Sequence, residues 1–280
     1  MDSEETEIPR TPTRGGGRSE GDGVERVNEG GPAVPAPSGT DGLSGALADA
    51  LAPLAADFSV AVLDTGSGVT GAHGDGSYAT ASVIKVGILA ALLLGAQDEG
   101  RRLTAQERSY ATVMIERSDN DAATALWGTI GGGRGLETAL GRLGLTATHT
   151  DDRGRWGLTH TTASDQLTLL RAVFLDGSPL NARSQAYLRT LMGRVIAGQT
   201  WGISSAAAGT GPGTRLKNGW MPRDATGLWV VNSIGEVTAN GRPHLIAVLS
   251  EGHADREGGV ALVEEVARTA MATTAAYASR

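Results

Sequence analysis

The chain has 280 residues, 40% hydrophobic and 20% charged, enough apolar material for one large core or two small ones. A net charge of -7 and a pI near 5.3 argue against a basic binding face, so neither nucleic acid nor an anionic membrane surface is an expected partner. There is no cysteine, and His73, His149, His160, His244 and His253 show no metal-ligand spacing; disulfides and a Cys nucleophile are excluded, and no metal or other cofactor is expected.

Residues 1–40 are rich in Gly, Pro, Ser, Glu and Arg and nearly devoid of apolar side chains, which predicts disorder, because such a segment buries too little surface to offset the entropy of ordering. The segment carries Asp2, Glu4 and Glu5 and no apolar core typical of a signal peptide, so the expectation is a cytoplasmic protein. The longest apolar run, 86-VGILAALLLGA-96, is too short to span a bilayer, and no membrane span is expected. A single domain is expected over 41–280.

Residues 43–54 read as a first helix, and 57–76 as a hairpin whose β-rich arm carries Phe58, Val60 and Val62. Ser82 to about Gln97 is an apolar helix. Thr104 followed by Glu107 is a capping box opening a helix through about Arg117, and Asp121–Trp127 is helical again. Residues 164–175 and 184–197 show amphipathic leucine spacing. Strands follow at 215–219, 227–237 and 244–252, then a helix over 258–276. The order predicts an α+β fold: an antiparallel sheet built from both chain ends (about 41–80 and 210–280) with flanking helices, and a mainly helical lobe over about 82–205.

Only two lysines occur in the chain, Lys85 and Lys217. Lys85 follows Ser82 by three residues, which places both on one face of the first helical turn, where free N–H groups favour developing negative charge. A serine hydroxyl is a weak nucleophile until a base takes its proton, and lysine can be that base once burial lowers its pKa, whereas arginine cannot. The same pair also reads as an N-cap serine and a snorkelling lysine. Ser118-Asp119-Asn120 falls between two helical patterns, where a hydroxyl can relay a proton and an amide can bind a carbonyl; it reads equally as a helix cap. Lys217-Asn218-Gly219 offers a cation for a carboxylate and a glycine for close backbone approach, or simply a surface turn.

Together, SxxK, SDN and the KNG strand, in this order, resemble the class A β-lactamases and penicillin-recognising D,D-peptidases, and especially actinobacterial serine hydrolases carrying KNGW. The resemblance runs from about Leu43 to Ala276 and includes Thr200-Trp201-Gly202. It implies a β-lactamase/D,D-peptidase-like fold, with Ser82 as acylated nucleophile, Lys85 as its base and Ser118 as proton relay to the leaving nitrogen. It further implies Asn120, Lys217, Asn218 and Gly219 as the substrate-binding set, and the backbone N–H groups of Ser82 and Trp220 as the oxyanion hole. The substrate would be a small-molecule or peptide amide, a β-lactam or D-Ala-like peptide.

Three departures stand out. Asn218 replaces the family's Thr or Ser, with an amide able to donate to a carboxylate. The Ser82–Ser118 separation is short, implying a trimmed helical lobe. The region matching the Ω-loop, 150-TDDRGRWGLTHTTASDQL-167, contains no glutamate; Asp151, Asp152 and His160 are the substitutes on offer, and spacing favours none. Acylation is therefore expected with slow deacylation. The other readings are a penicillin-binding sensor that acylates without turnover, an acyltransferase or amide hydrolase of natural-product metabolism, and a fold in which the triplets are only caps and turns.

Overall fold

The computed structural model describes residues 40–207, 213–239 and 241–279. The segment expected to be disordered lies outside these residues apart from Thr40. Helix α1 (Thr40–Leu51) leads into the hairpin β1 (Asp57–Asp64) and β2 (Thr70–His73). It stops before the 43–54 expectation because Pro53 disfavours a helical residue ahead of it. Next come β3 (Tyr78–Ala79), a 3₁₀ turn (Ala81–Val83), and helices α2 (Ile84–Asp98), α3 (Ala105–Glu116), α4 (Asn120–Thr129) and α5 (Gly132–Arg142). After a second 3₁₀ turn (Trp156–Leu158) follow β4 (His160–Thr161), α6 (Ala163–Phe174) and α7 (Ala182–Met192). Strands β5 (Arg215–Pro222), β6 (Trp229–Ala239) and β7 (Arg242–His253) then lead to α8 (Arg256–Ala278).

The main sheet has the order β2-β1-β7-β6-β5 with every pairing antiparallel, so its strands do come from both ends of the chain. Strand β1 is buried on both faces by the two-residue period of a pleated strand. Phe58, Val60 and Val62 face a core shared with Leu43, Leu47, Val263, Val266 and Ala270 of α1 and α8. Ala61 and Leu63 face the opposite core, which extends into the helical lobe.

At the centre of that lobe lies α2, buried almost all round, as expected for a helix apolar on every side. The stretch Ala81–Asp98 is long and apolar enough to cross a membrane, yet 78% of it is buried inside the fold, as a core helix would be. Helix α3 opens with the expected capping box: the Thr104 hydroxyl accepts from the Glu107 N–H at 3.1 Å and Glu107 Oε2 accepts from the Thr104 N–H at 2.6 Å.

Two features escaped the sequence reading. Helix α5, GGRGLETALGR, carries four glycines that hide its Leu136, Ala139 and Leu140 stripe. Strands β3 and β4 pair over only two residues each, too short to show a period.

Candidate active site

The backbone around Ser82 is held in a strained turn. Ala81 has φ of 46° and Ser118 has φ of 58°, and these are the two non-glycine residues of positive φ among the described residues. Such left-handed geometry persists only where surrounding contacts impose it. Asn232 supplies part of that constraint: fully buried in β6, its Nδ2 donates to the carbonyls of Ala79 and Thr80 at 2.8 and 3.1 Å. Ser82 emerges half-buried, its side chain on a cleft.

Lys85 sits one turn further on, fully buried. Its ammonium donates to the Ser118 carbonyl at 2.7 Å, the Ser118 hydroxyl at 3.1 Å and Asn120 Oδ1 at 2.8 Å. All three N–H directions are thus occupied, and none of these bonds goes to Ser82. Burial lowers the Lys85 pKa to about 8, with the charge of Asp119 opposing the shift. The Asp119 carboxylate caps α4, accepting from the Ala122 N–H at 2.8 Å. The cap and the candidate site are therefore the same tripeptide.

Lys217 reaches the same hydroxyl from the other side. Its ammonium donates to Ser118 Oγ at 3.0 Å, to the Asn218 carbonyl at 2.8 Å and to Gln199 Oε1 at 3.5 Å. Complete burial, reinforced by the neighbouring Lys85 charge, holds its pKa well below the usual lysine value. Gln199 also donates to the Arg117 carbonyl at 2.8 Å, tying β5 to the turn that carries Ser118.

Edge strand β5 presses against the Ser82 turn. A Cβ on Gly219 would lie 2.7 Å from the Ser82 nitrogen and 2.8 Å from the Thr80 oxygen, so the contact requires glycine. One residue later Trp220 lines the cleft, edge-on to Trp201 and beneath the Arg256 guanidinium at 4.7 Å.

Asn218 does not face the substrate side, which corrects the expectation of a carboxylate contact. It is fully buried; its Nδ2 donates to the carbonyls of Gln199 and Trp201, both at 2.9 Å, and its Oδ1 accepts from Ser233 Oγ at 2.6 Å. Strand alternation turns it away from Lys217 and Gly219 and into the Thr200-Trp201-Gly202 segment.

The cleft holds about 450 Å³ and is lined by Ser82 and Asn120 together with Thr124, Trp127, residues 154–158, Trp220 and Met221. The loop that matches the Ω-loop region places Trp156 over the Lys85 ammonium, 4.8 Å from the ring centroid, and its indole N–H donates to Thr124 Oγ1 at 3.2 Å. Asp151 is bonded to the Arg155 guanidinium at 3.0 and 3.1 Å, and that hydrogen bond holds its pKa down at about 2. Asp152 is exposed, and His160 lies in β4, bridged to His149. Trp156, Gln199, Asn232 and Arg256 were missed by the sequence reading. The one available signal was Trp156 itself, one of five tryptophans in a chain with 4% aromatics.

The chain is 38% identical over 132 residues to "Putative lipoprotein LppW" of Mycobacterium bovis and of Mycobacterium tuberculosis; the match covers 46% of this chain and 41% of theirs. The expectation of a cytoplasmic protein is thereby corrected, since these relatives carry the name of lipoproteins, a class exported and anchored to membranes by lipid. Among solved structures, TLA-1 extended spectrum β-lactamase superposes with a TM-score of 0.71 at 19% identity, covering 84% of this chain and 99% of that one. A mutant of PBP-A, solved as an acyl-enzyme complex with penicillin G, superposes with a TM-score of 0.69 at 23% identity, covering 84% and 96%. These likenesses establish the α+β fold, with its sheet and helical lobe. The family described as "Beta-lactamase enzyme family" matches residues 99–274, well over half of the chain, and this protein belongs to it.

Proposed function

We propose that the protein is a serine hydrolase that cleaves an amide through an acyl-Ser82 intermediate and releases the acyl group slowly. The observation that carries this reading is the convergence of the chain's only two lysines, both buried, on the Ser118 hydroxyl. A buried lysine with no carboxylate partner is costly in its charged form. Lysines kept there for packing alone would be replaced by apolar residues at no loss.

In this reading the resting Lys85 is protonated and held by its three acceptors. Loss of a proton frees its lone pair to accept from Ser82, which lies three residues earlier, in the 3₁₀ turn that leads into α2, a spacing that puts the two side chains on one face. The Ser82 oxygen attacks the amide carbonyl. The oxyanion forms against the backbone N–H groups of Ser82 and Trp220, each such donor contributing about 3–4 kcal/mol. Ser118 then passes a proton to the leaving nitrogen, resupplied from either lysine. Asn120 orients the substrate amide. A substrate carboxylate arriving beside Ser118 would favour the charged form of Lys217. Asn218 anchors the 200–202 segment instead of touching substrate. Slow release follows from the cleft wall, which carries no Asp or Glu among the described residues to activate a water.

The test combines turnover of a chromogenic cephalosporin with intact-mass detection of a labelled penicillin. The expected result is a single-hit adduct that decays slowly and is absent in Ser82→Ala. Fast turnover without accumulation would overturn slow release, and an adduct that survives Ser82→Ala would overturn the nucleophile. Failure of both lactams and of a panel of amides and esters to react would overturn the hydrolase reading.

A further inference from the structure

Three of the five tryptophans, Trp127, Trp156 and Trp220, line the cleft beside Ser82. Trp127 is buried in α4. Trp156 is fixed by its hydrogen bond to Thr124 and its stacking on the Lys85 ammonium. Trp220 is fixed by the edge of Trp201, at 5.6 Å between centroids, and by Arg256.

The loop bearing Trp156 is itself stapled. Asp151 accepts from the backbone N–H groups of Arg153 and Arg155 at 3.1 and 3.3 Å as well as from the Arg155 guanidinium. Gly157, Met221 and Ala81 complete the lining of the cleft. The remaining wall is apolar or neutral, except for Arg155, whose charge is already met by Asp151. Rigid aromatic walls around about 450 Å³ suit a flat ring, which gains edge-to-face contacts that an alkyl or charged group does not.

We propose that this cleft selects acyl donors bearing an aromatic side chain, with Trp156 as the residue that sets the preference. The inference rests on the hydrolase reading for its chemistry, though not for the binding itself. Two measurements separate them. In Ser82→Ala, which cannot be acylated at that position, the affinities of phenylacetamide and acetamide are compared by chemical-shift titration. In the unaltered protein, acylation rates with penicillin G and with 6-aminopenicillanic acid, which lacks the phenylacetyl group, are compared by intact mass.

The aromatic partner is expected to be favoured by about tenfold or more in both assays. Trp156→Ala should erase the preference and Trp156→Phe should keep part of it, while Trp229→Phe, which does not line the cleft, should leave it unchanged. Equal binding and equal acylation would overturn the aromatic preference and leave the hydrolase intact. Selective binding lost in Trp156→Ala, with no acylation by any probe, would uphold the preference and overturn the hydrolase. A preference unaltered in Trp156→Ala would overturn the assignment of that residue. Neither binding nor acylation would overturn both.

Discussion

Lys85 and Lys217 donate to one oxygen, the Ser118 hydroxyl, at 3.1 and 3.0 Å. Neither meets a carboxylate there, so the pair cannot hold two charges cheaply, and one proton more or less changes what the hydroxyl can do. The pH dependence of acylation follows. With a pKa near 8, Lys85 is mostly protonated at neutral pH and becomes a base above it. Acylation by penicillin should therefore rise about tenfold per pH unit below 8 and level off above. Mass-resolved rates from pH 6 to 9.5 test this, and a flat profile would remove Lys85 as the base.

Folding stability should move in the same direction. The Lys85 pKa is depressed from an unfolded value near 10.5, so the unfolded chain binds the extra proton between about 8 and 10.5. The penalty is fully present below that window and disappears as pH rises through it. Urea midpoints of wild type and Lys85→Met should converge across this range.

Lys85→Arg keeps a positive charge and removes the ability to lose it. Acylation should fall by at least about a thousandfold, while Ser82→Ala removes the adduct altogether. An arginine variant that reacts at the wild-type rate would refute the proton-acceptor role.

Two glycines offer a contrast. Gly219→Ala drives a methyl into the Ser82 backbone and should cost about 1–3 kcal/mol of stability, with a fall in acylation larger than the stability loss explains. Gly95→Ala, in α2 with nothing within 4 Å of the new methyl, should stabilise by roughly 0.5–1 kcal/mol and leave acylation alone. Thermal melts beside acylation rates distinguish the two.

Asn218→Ala deprives the Gln199 and Trp201 carbonyls and Ser233 of a buried partner, each such loss being worth about 1–3 kcal/mol. A lowered Tm with an unchanged apparent substrate affinity is expected. The opposite pattern would restore Asn218 as a binding residue.

Asp151→Asn should leave the deacylation rate within about twofold, because a carboxylate held near pKa 2 by Arg155 is a poor base at neutral pH. Decay of the penicillin adduct by mass is the readout.

Strong local signals in the sequence survived into the structure. The Thr104–Glu107 capping box and the alternation through Phe58, Val60 and Val62 rest on local sequence patterns, and each stands where its spacing put it. What was illegible depends on distant partners. Trp156 matters because it meets Lys85 and Thr124, and nothing local in its loop says so. Asn218 looked like a binding residue by its place in the KNG triplet, and the direction of its side chain is decided by Gln199 and Trp201. Gln199 and Asn232 are polar residues in ordinary contexts until the fold carries them to Lys217 and to the Ser82 turn. Helix α5 was hidden by its own glycines, whose low propensity the packing of Leu136 and Leu140 overrides.

The pairing of β1 with β7, from Asp57 opposite Glu251 to Asp64 opposite His244, fixes when the sheet can close. The β1–β2 hairpin has no inner neighbour until β7, far along the chain, has been added, and such remote pairing makes for slow folding. A nascent chain halted short of Arg242 would present a bare apolar strand edge and lack β7, which joins β1 to the rest of the sheet. The five-stranded sheet thus closes only once β7 is in place, and no stretch that stops short of it can hold β1 and β6 together.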